Sequence, residues 1–178
     1  MSTTETTSTR VPTGSWRLDP VHSSIGFAVR HSGVMTFRGT FDEYSAQLVD
    51  GRLEGTAKVA SVRVDDPQLA GHLQTPDFFD AELHPELRFV SNAIERDGDR
   101  VSIAGDLTLR GTTNAVELTG TVKGPVADAY GKQRLGLELE TSVNRRDYGI
   151  NWGMELPSGE PMLADDVVIT ADLALVQE

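Results

Sequence analysis

Two histidines bracket the stretch DPVHSSIGFAVRHSG, Asp19 to Gly33, and imidazole is the side chain best suited to ligate a metal or move a proton near neutral pH. His22 and His31 are nine positions apart. If the chain between them is extended, about 3.3 Å per residue sets them roughly 30 Å apart, and the odd separation turns them to opposite faces. They cannot share a metal without a sharp bend. His72 and His84 show no HExxH or His-x-His spacing, so no metal site is read. Nor is there a GxSxG elbow, a phosphate-cradling GxxxxGK[ST] loop or a tight His/acid arrangement, so no catalytic residue is assigned. His22 reads as a brace for the turn at Asp19. His31 shares the face of Ile25, Phe27 and Val29, where it would form the polar end of an apolar wall able to receive a head group.

Other side chains could meet a ligand. Arg38, Arg110, Arg145 and Arg146 could hold a phosphate through forked hydrogen bonds, or could be solvated surface arginines paired with acids. With His22, the arginines at 38, 110 and 145 are the head-group candidates. Phe78, Phe79 and Phe89 are bulky enough to close the end of a tunnel or to anchor an insertion. The segment DYGINWGMELPSGEPM sets Tyr148, Trp152 and Met154 among glycines, as in a loop that closes over an apolar ligand or simply packs.

These residues need a scaffold. The 178 residues, 38% of them apolar, suit one globular domain over 15–178, preceded by a Ser/Thr-rich flexible tail over 1–14. A net charge of −11 opposes nucleic acid and anionic membrane surfaces, and zero cysteines exclude disulfides and thiolate chemistry. The first ten residues lack the apolar core of an export signal, and no run is long enough to span a membrane, so the expectation is a cytoplasmic protein without stable membrane insertion.

Apolar residues alternate along Ile25–Val29, Val101–Leu109, Val116–Val122, Leu135–Leu139 and Val167–Leu175, the pattern of half-buried strands. The alternation changes phase near Ala60, which a bulge or bend would explain. Turn signals at Asp50-Gly51, Asp97-Gly98, Gly111–Asn114 and Gly124-Pro125 join the strands as antiparallel hairpins. Asp66-Pro67 and Thr75-Pro76 each look like an N-cap before a first-turn proline, which predicts short helices over Pro67–Gln74 and Pro76–Leu83. The sum is an all-β, eight-stranded antiparallel barrel with a short helical insertion around residues 66–84. Its interior could hold side chains or one ligand, and the small residues between large ones leave both open.

Four ordered motifs resemble the YceI-like family of polyisoprenoid-binding, lipocalin-like barrels. They are Asp19, His22, Ser23, Phe27, Val29 and His31 with Gly39 and Phe41; Asp77, Phe78, Phe79, Pro85 and Phe89; GDLTLRGTT, Gly105 to Thr113, with Val116; and Arg145, Asp147, Tyr148 and Gly149. Thr112, Asn114 and Ala115 depart from the aliphatic, basic and proline residues common in that family. The resemblance implies a non-enzymatic protein whose apolar tunnel holds a long isoprenoid of polyprenyl pyrophosphate or quinone type, carried or stored, with no cofactor beyond the lipid. The expected wall is Ile25, Phe27, Val29, Phe41, Leu107, Leu109 and Leu137, with Phe78, Phe79, Phe89, Tyr148 and Trp152 at its ends. The alternatives are an enzyme acting on a hydrophobic isoprenoid-like substrate through His31 or His22, and a filled barrel that binds a partner through its surface. A flat sheet face leaves a homodimer open.

Overall fold

The structure, a computed structural model, describes residues 11–178, so residues 1–10 of the expected tail lie outside the described residues. Gly14 exchanges hydrogen bonds with Asp50, its N–H meeting Oδ1 at 3.0 Å and its carbonyl accepting from the Asp50 N–H at 3.0 Å. The described residues therefore start against the barrel.

Among the described residues, eleven strands form the eight staves of a closed antiparallel barrel. In order they are β1 (Ser15–Leu18), β2 (Ser24–His31), β3 (Met35–Phe41), β4 (Tyr44–Val49), β5 (Arg52–Lys58), β6 (Val62–Arg63), β7 (Glu86–Asp97), β8 (Arg100–Leu109), β9 (Thr112–Ala127), β10 (Gln133–Asn144) and β11 (Leu163–Gln177). The first three staves are each broken in two. β1 and β2 both pair with β11, β3 and β4 follow on one stave, and β5 and β6 on the next. The phase change near Ala60 is the third break, a 3₁₀ turn over Val59–Ser61. It is tied to the second, because the Asp42 N–H donates to the Ser61 carbonyl at 3.0 Å and the Glu43 N–H to Ser61 Oγ at 2.9 Å. The barrel thus bends at one level without exposing unpaired backbone.

Tight turns fall where the residues allow them. Asp50-Gly51 has φ of 49° and 78° and Arg110-Gly111 has 52° and 75°, the paired positive values of a two-residue hairpin whose twist matches its strands. The turn expected over Gly111–Asn114 is instead the pair Arg110-Gly111, because Thr112–Asn114 already pair with β8 as the start of β9, and two further expectations fail. Gly124-Pro125 is not a hairpin turn: it lies inside β9 at a register shift opposite Arg134 and Gly136, and the chain reverses at 128–132. The second helix, Pro76–Leu83, does not form. α1 (Pro67–Leu73) is capped by Asp66 as its sequence requires, with Oδ1 accepting from the Gln68 N–H at 2.8 Å. Thr75 Oγ1, however, turns back to donate to the His72 carbonyl at 2.6 Å, closing α1 instead of capping a new helix. Asp80 then takes a φ of 51°, which a right-handed helix cannot contain, so residues 75–84 are linked turns.

Inward side chains do not fill the barrel evenly. At the end built by β1, the β4–β5 turn and the C-terminus of β11, Trp16, Leu48, Leu53, Ile103, Val122, Leu135 and Leu175 are at most 2% exposed. That half is a solid floor. Toward the other end, inward residues such as Phe27, Leu87, Val167 and Ile169 are only partly buried, although they face the interior.

Candidate functional site

The upper half encloses a cavity of about 210 Å³. Its wall comes from Ile25, Phe27 and Val29 on β2, Phe37 and Phe41 on β3, Leu107 and Leu109 on β8, Val143 on β10, and Val167 and Ile169 on β11. A smaller space of about 70 Å³, lined by Phe89, Leu118 and Leu139 among others, shares Ile25, Leu87, Leu107 and Ile169 with it and lies nearer the floor. Phenylalanine opposite glycine sets this width. The Phe27 ring covers Gly39 so closely that a Cβ there would sit 2.5 Å from Cζ, and the Phe89 ring similarly covers Gly105, 2.6 Å from its missing Cβ. Phe27, Phe41 and Phe79 then pack ring to ring at 5.8 to 6.2 Å.

Two segments cover the open end. α1 brings Leu69, His72 and Leu73 on one face by their three- and four-residue spacing, and the turns after it bring Phe78 and Phe79. From the other side, the segment between β10 and β11 brings Ile150, Trp152 and Met162. His72, Phe78 and Trp152 meet as three rings, with centroids 4.9, 5.4 and 5.3 Å apart. His72 Nε2 lies 2.9 Å from Asp77 Oδ2, which orients its ring.

Arg145 pins the second segment. It is 3% exposed, and its donors go to main-chain carbonyls: Nε to Ala164 at 2.9 Å, Nη1 to Ile150 at 2.9 Å and Trp152 at 2.6 Å, and Nη2 to Leu163 at 3.3 Å. Burial, followed by the Arg146 charge, pushes its pKa below the usual arginine value, while Asp165 opposes the shift. The guanidinium borders the cavity but holds backbone, not solvent.

Of the expected residues, Ile25, Phe27, Val29, His31, Phe41, Phe78, Phe79, Leu107, Leu109, Trp152 and Arg145 come together around the main cavity. The other expected residues do not line it. Phe89 lines only the lower space, Leu137 is packed into the floor, Tyr148 is 2% exposed in the 3₁₀ turn Arg145–Tyr148, and Arg38 is exposed on β3. Arg110 also stands apart. Its Nη1 donates to the Gly149 carbonyl and its Nη2 to the Pro76 carbonyl, each at 2.7 Å. Sequence reading missed His72, Leu69 and Leu73, whose shared helical face was the available signal, and Val167 and Ile169, which lie in phase with the floor residues Leu173 and Leu175 of the same strand.

His22 lies in the break of the first stave, with 70% of its side chain exposed, and its Nδ1 is 2.8 Å from Asp19 Oδ2. Arg134 Nη1 donates to the same oxygen at 2.8 Å. The hydrogen bond from His22 and then that from Arg134 hold the Asp19 carboxyl well below the usual range, at about 2. Between pH 4 and 2 the folded carboxylate stays ionised while the unfolded one takes up a proton, so stability falls as pH falls through this window and is fully present above it. Urea unfolding of Asp19→Asn protein should lose this part of the pH dependence. An equally steep loss between pH 4 and 2 in the variant would show that Asp19 is not its source.

A model of the YceI-like domain matches residues 16–175. The chain belongs to the YceI-like family. It is 32% identical to a UPF0312 protein of Staphylococcus epidermidis over 168 residues, 88% of this chain and 94% of that one. It is 29% identical to a UPF0312 protein of Photorhabdus laumondii over 134 residues, 71% of this chain and 70% of the relative. Burkholderia cenocepacia BcnA superposes with a TM-score of 0.75 at 24% identity, covering 88% of this chain and 98% of BcnA. A polyisoprenoid binding domain from Saccharophagus degradans superposes with a TM-score of 0.73 at 13% identity, covering 92% and 98%.

In this YceI-like barrel the four motifs hold one another. Ser23 Oγ donates to the Asp19 carbonyl at 2.6 Å and accepts from the Ala174 N–H at 2.9 Å, fastening the first motif to β11. Arg110 of the third motif reaches Pro76, beside the DFF segment, and Gly149 of the fourth. Asn114, one of the departures, donates to the Asp147 carbonyl at 3.0 Å, so this turn still braces the cover.

Proposed function

We propose that the protein binds a long-chain isoprenoid lipid, of polyprenyl pyrophosphate or quinone type, within the upper barrel and carries or stores it without chemical change. One observation carries the reading: a hollow walled almost wholly by hydrocarbon and aromatic rings lies above a solid floor. A cavity of about 150 Å³ lined by similar side chains stays dry and takes up benzene, so about 210 Å³ suits a branched hydrocarbon segment. Burial contributes about 0.8 kcal/mol per methylene, so few polar contacts are needed. The remainder of a long chain runs past Leu87 and Ile169 into the lower space or out between Phe78 and Trp152. The polyisoprenoid binding domain of the same fold supports this reading.

Trp152 is the natural reporter, since Trp16 is buried in the floor. In Trp16→Phe protein, titration with a C20 isoprenoid alcohol should shift and saturate the Trp152 emission in the micromolar range; an unchanged spectrum at saturating lipid would count against the proposal. Trp152→Ala removes ring contacts worth about 1 kcal/mol and should release bound lipid several-fold faster, as measured by stopped-flow transfer to vesicles. An unchanged release rate would mean that lipid does not leave past these rings.

A further inference from the structure

We propose that the cavity selects an uncharged head group, a carbonyl or hydroxyl hydrogen-bonded by His31, and turns away a diphosphate. The inference rests on the isoprenoid reading above and names the ligand class within it. A diphosphate entering a hydrocarbon cavity needs several fixed donors, because an unpaired buried anion is costly. The candidate cations do not supply them. Arg38 is exposed on the outside, and both terminal nitrogens of Arg110 are held by carbonyls away from the cavity. Arg145 does border it, but freeing its donors would orphan four main-chain carbonyls of the covering segment.

Acidic side chains stand on both covering segments. Glu160 sets a carboxylate oxygen 3.6 Å from the Cβ position of Gly33, two residues from His31, and Asp77 occupies Nε2 of His72. Arg30, on the outer face of the same strand, donates to the Gly33 carbonyl at 3.0 Å and to Thr36 Oγ1 at 3.3 Å.

His31 has the opposite character. Its ring lines the cavity at the covered end, and its hydrogen bond among the described residues is between Nδ1 and Ser32 Oγ, at 3.2 Å. A hydroxyl can donate or accept, so either neutral tautomer is satisfied. With Ser32 donating, Nε2 carries the proton and donates to a carbonyl. With Nδ1–H donating to Ser32, Nε2 accepts from an alcohol. One imidazole thus serves a quinone and a prenyl alcohol, with the tail running down toward Ile25 and Ile169.

The test uses three lipids that share one C20 tail: geranylgeraniol, menaquinone-4 and geranylgeranyl diphosphate. Each is equilibrated with the full chain at pH 8 over a concentration series, and lipid co-eluting with the protein in gel filtration is quantified. The alcohol and the quinone should bind within a few-fold of each other, and the diphosphate at least tenfold more weakly. His31→Leu should weaken alcohol and quinone about five- to tenfold while leaving the headless C20 hydrocarbon phytane unchanged, which also reports that the variant is folded. Diphosphate binding as tight as the alcohol would overturn the head-group inference and leave the isoprenoid reading standing. Unchanged alcohol and quinone affinity in His31→Leu would overturn the role of His31. Retention of none of the four lipids would overturn the isoprenoid reading and this inference with it.

Discussion

Arg145→Met protein is expected to unfold with about 2–4 kcal/mol less free energy than the unaltered chain, because four buried or part-buried main-chain carbonyls lose their donors. Methionine fills much of the volume and removes the cost of burying a charge, which keeps the loss below the sum of four separate bonds. The damage should be local in origin. Amide exchange at 150–164 should speed up before β1 and the Leu135 end of β10 do, since those are packed by Leu48, Leu135 and Leu175 at the opposite end of the barrel. Arg145→Lys should rescue little, as one ammonium cannot reach acceptors spread over Ile150, Trp152, Leu163 and Ala164. A urea midpoint and an exchange pattern matching the unaltered chain would show that the covering segment stands without its pin.

The second large effect is on binding. Ile169 lies midway along β11, opposite Phe27 in register, and borders both the main cavity and the lower space. Ile169→Trp puts an indole where three or four carbons of a ligand would lie, which should weaken isoprenoid binding by about 2–3 kcal/mol, on the order of 50-fold. Stability should change by less than that, because the added ring enters space that is already hollow. The Trp152 titration in a Trp16→Phe background reads the loss, with a second tryptophan signal to subtract. Undiminished affinity would mean that the lipid lies elsewhere.

Much of the barrel is legible in the sequence because a strand's inward face is written in alternate residues. Val101, Ile103, Leu107 and Leu109 are all buried where their period of two puts them, and Asp50-Gly51 turns as its residue types require. The phase slip near Ala60 points to a bulge or bend, and the break there is the 3₁₀ turn Val59–Ser61. Local signals fail where one residue has two uses. Thr75 has the makings of an N-cap, yet a neighbouring helix end competes for its hydroxyl and wins.

The division into floor and hollow is harder to read. Leu137 and Leu107 are the same residue type on inward faces, and only their level along the barrel decides that one is packed and the other borders a cavity. Arg145 shows the same difficulty from the polar side. Its acceptors lie five to nineteen residues further along, so nothing near it in sequence distinguishes a backbone pin from a phosphate clamp. His22 and His31 are the opposite case, since spacing alone separates them, and the structure places one on Asp19 at the surface and the other against the cavity.

The central claim is that the upper cavity holds an isoprenoid. Native mass spectrometry of the purified protein, followed by organic extraction and fragmentation of whatever dissociates, tests it most directly. A bound species whose tail fragments at the C5H8 interval, absent or much reduced in Ile169→Trp protein, is the predicted result. Protein that carries no lipid and takes up none when offered isoprenoids, or that retains its lipid undiminished when Ile169 is tryptophan, would contradict it.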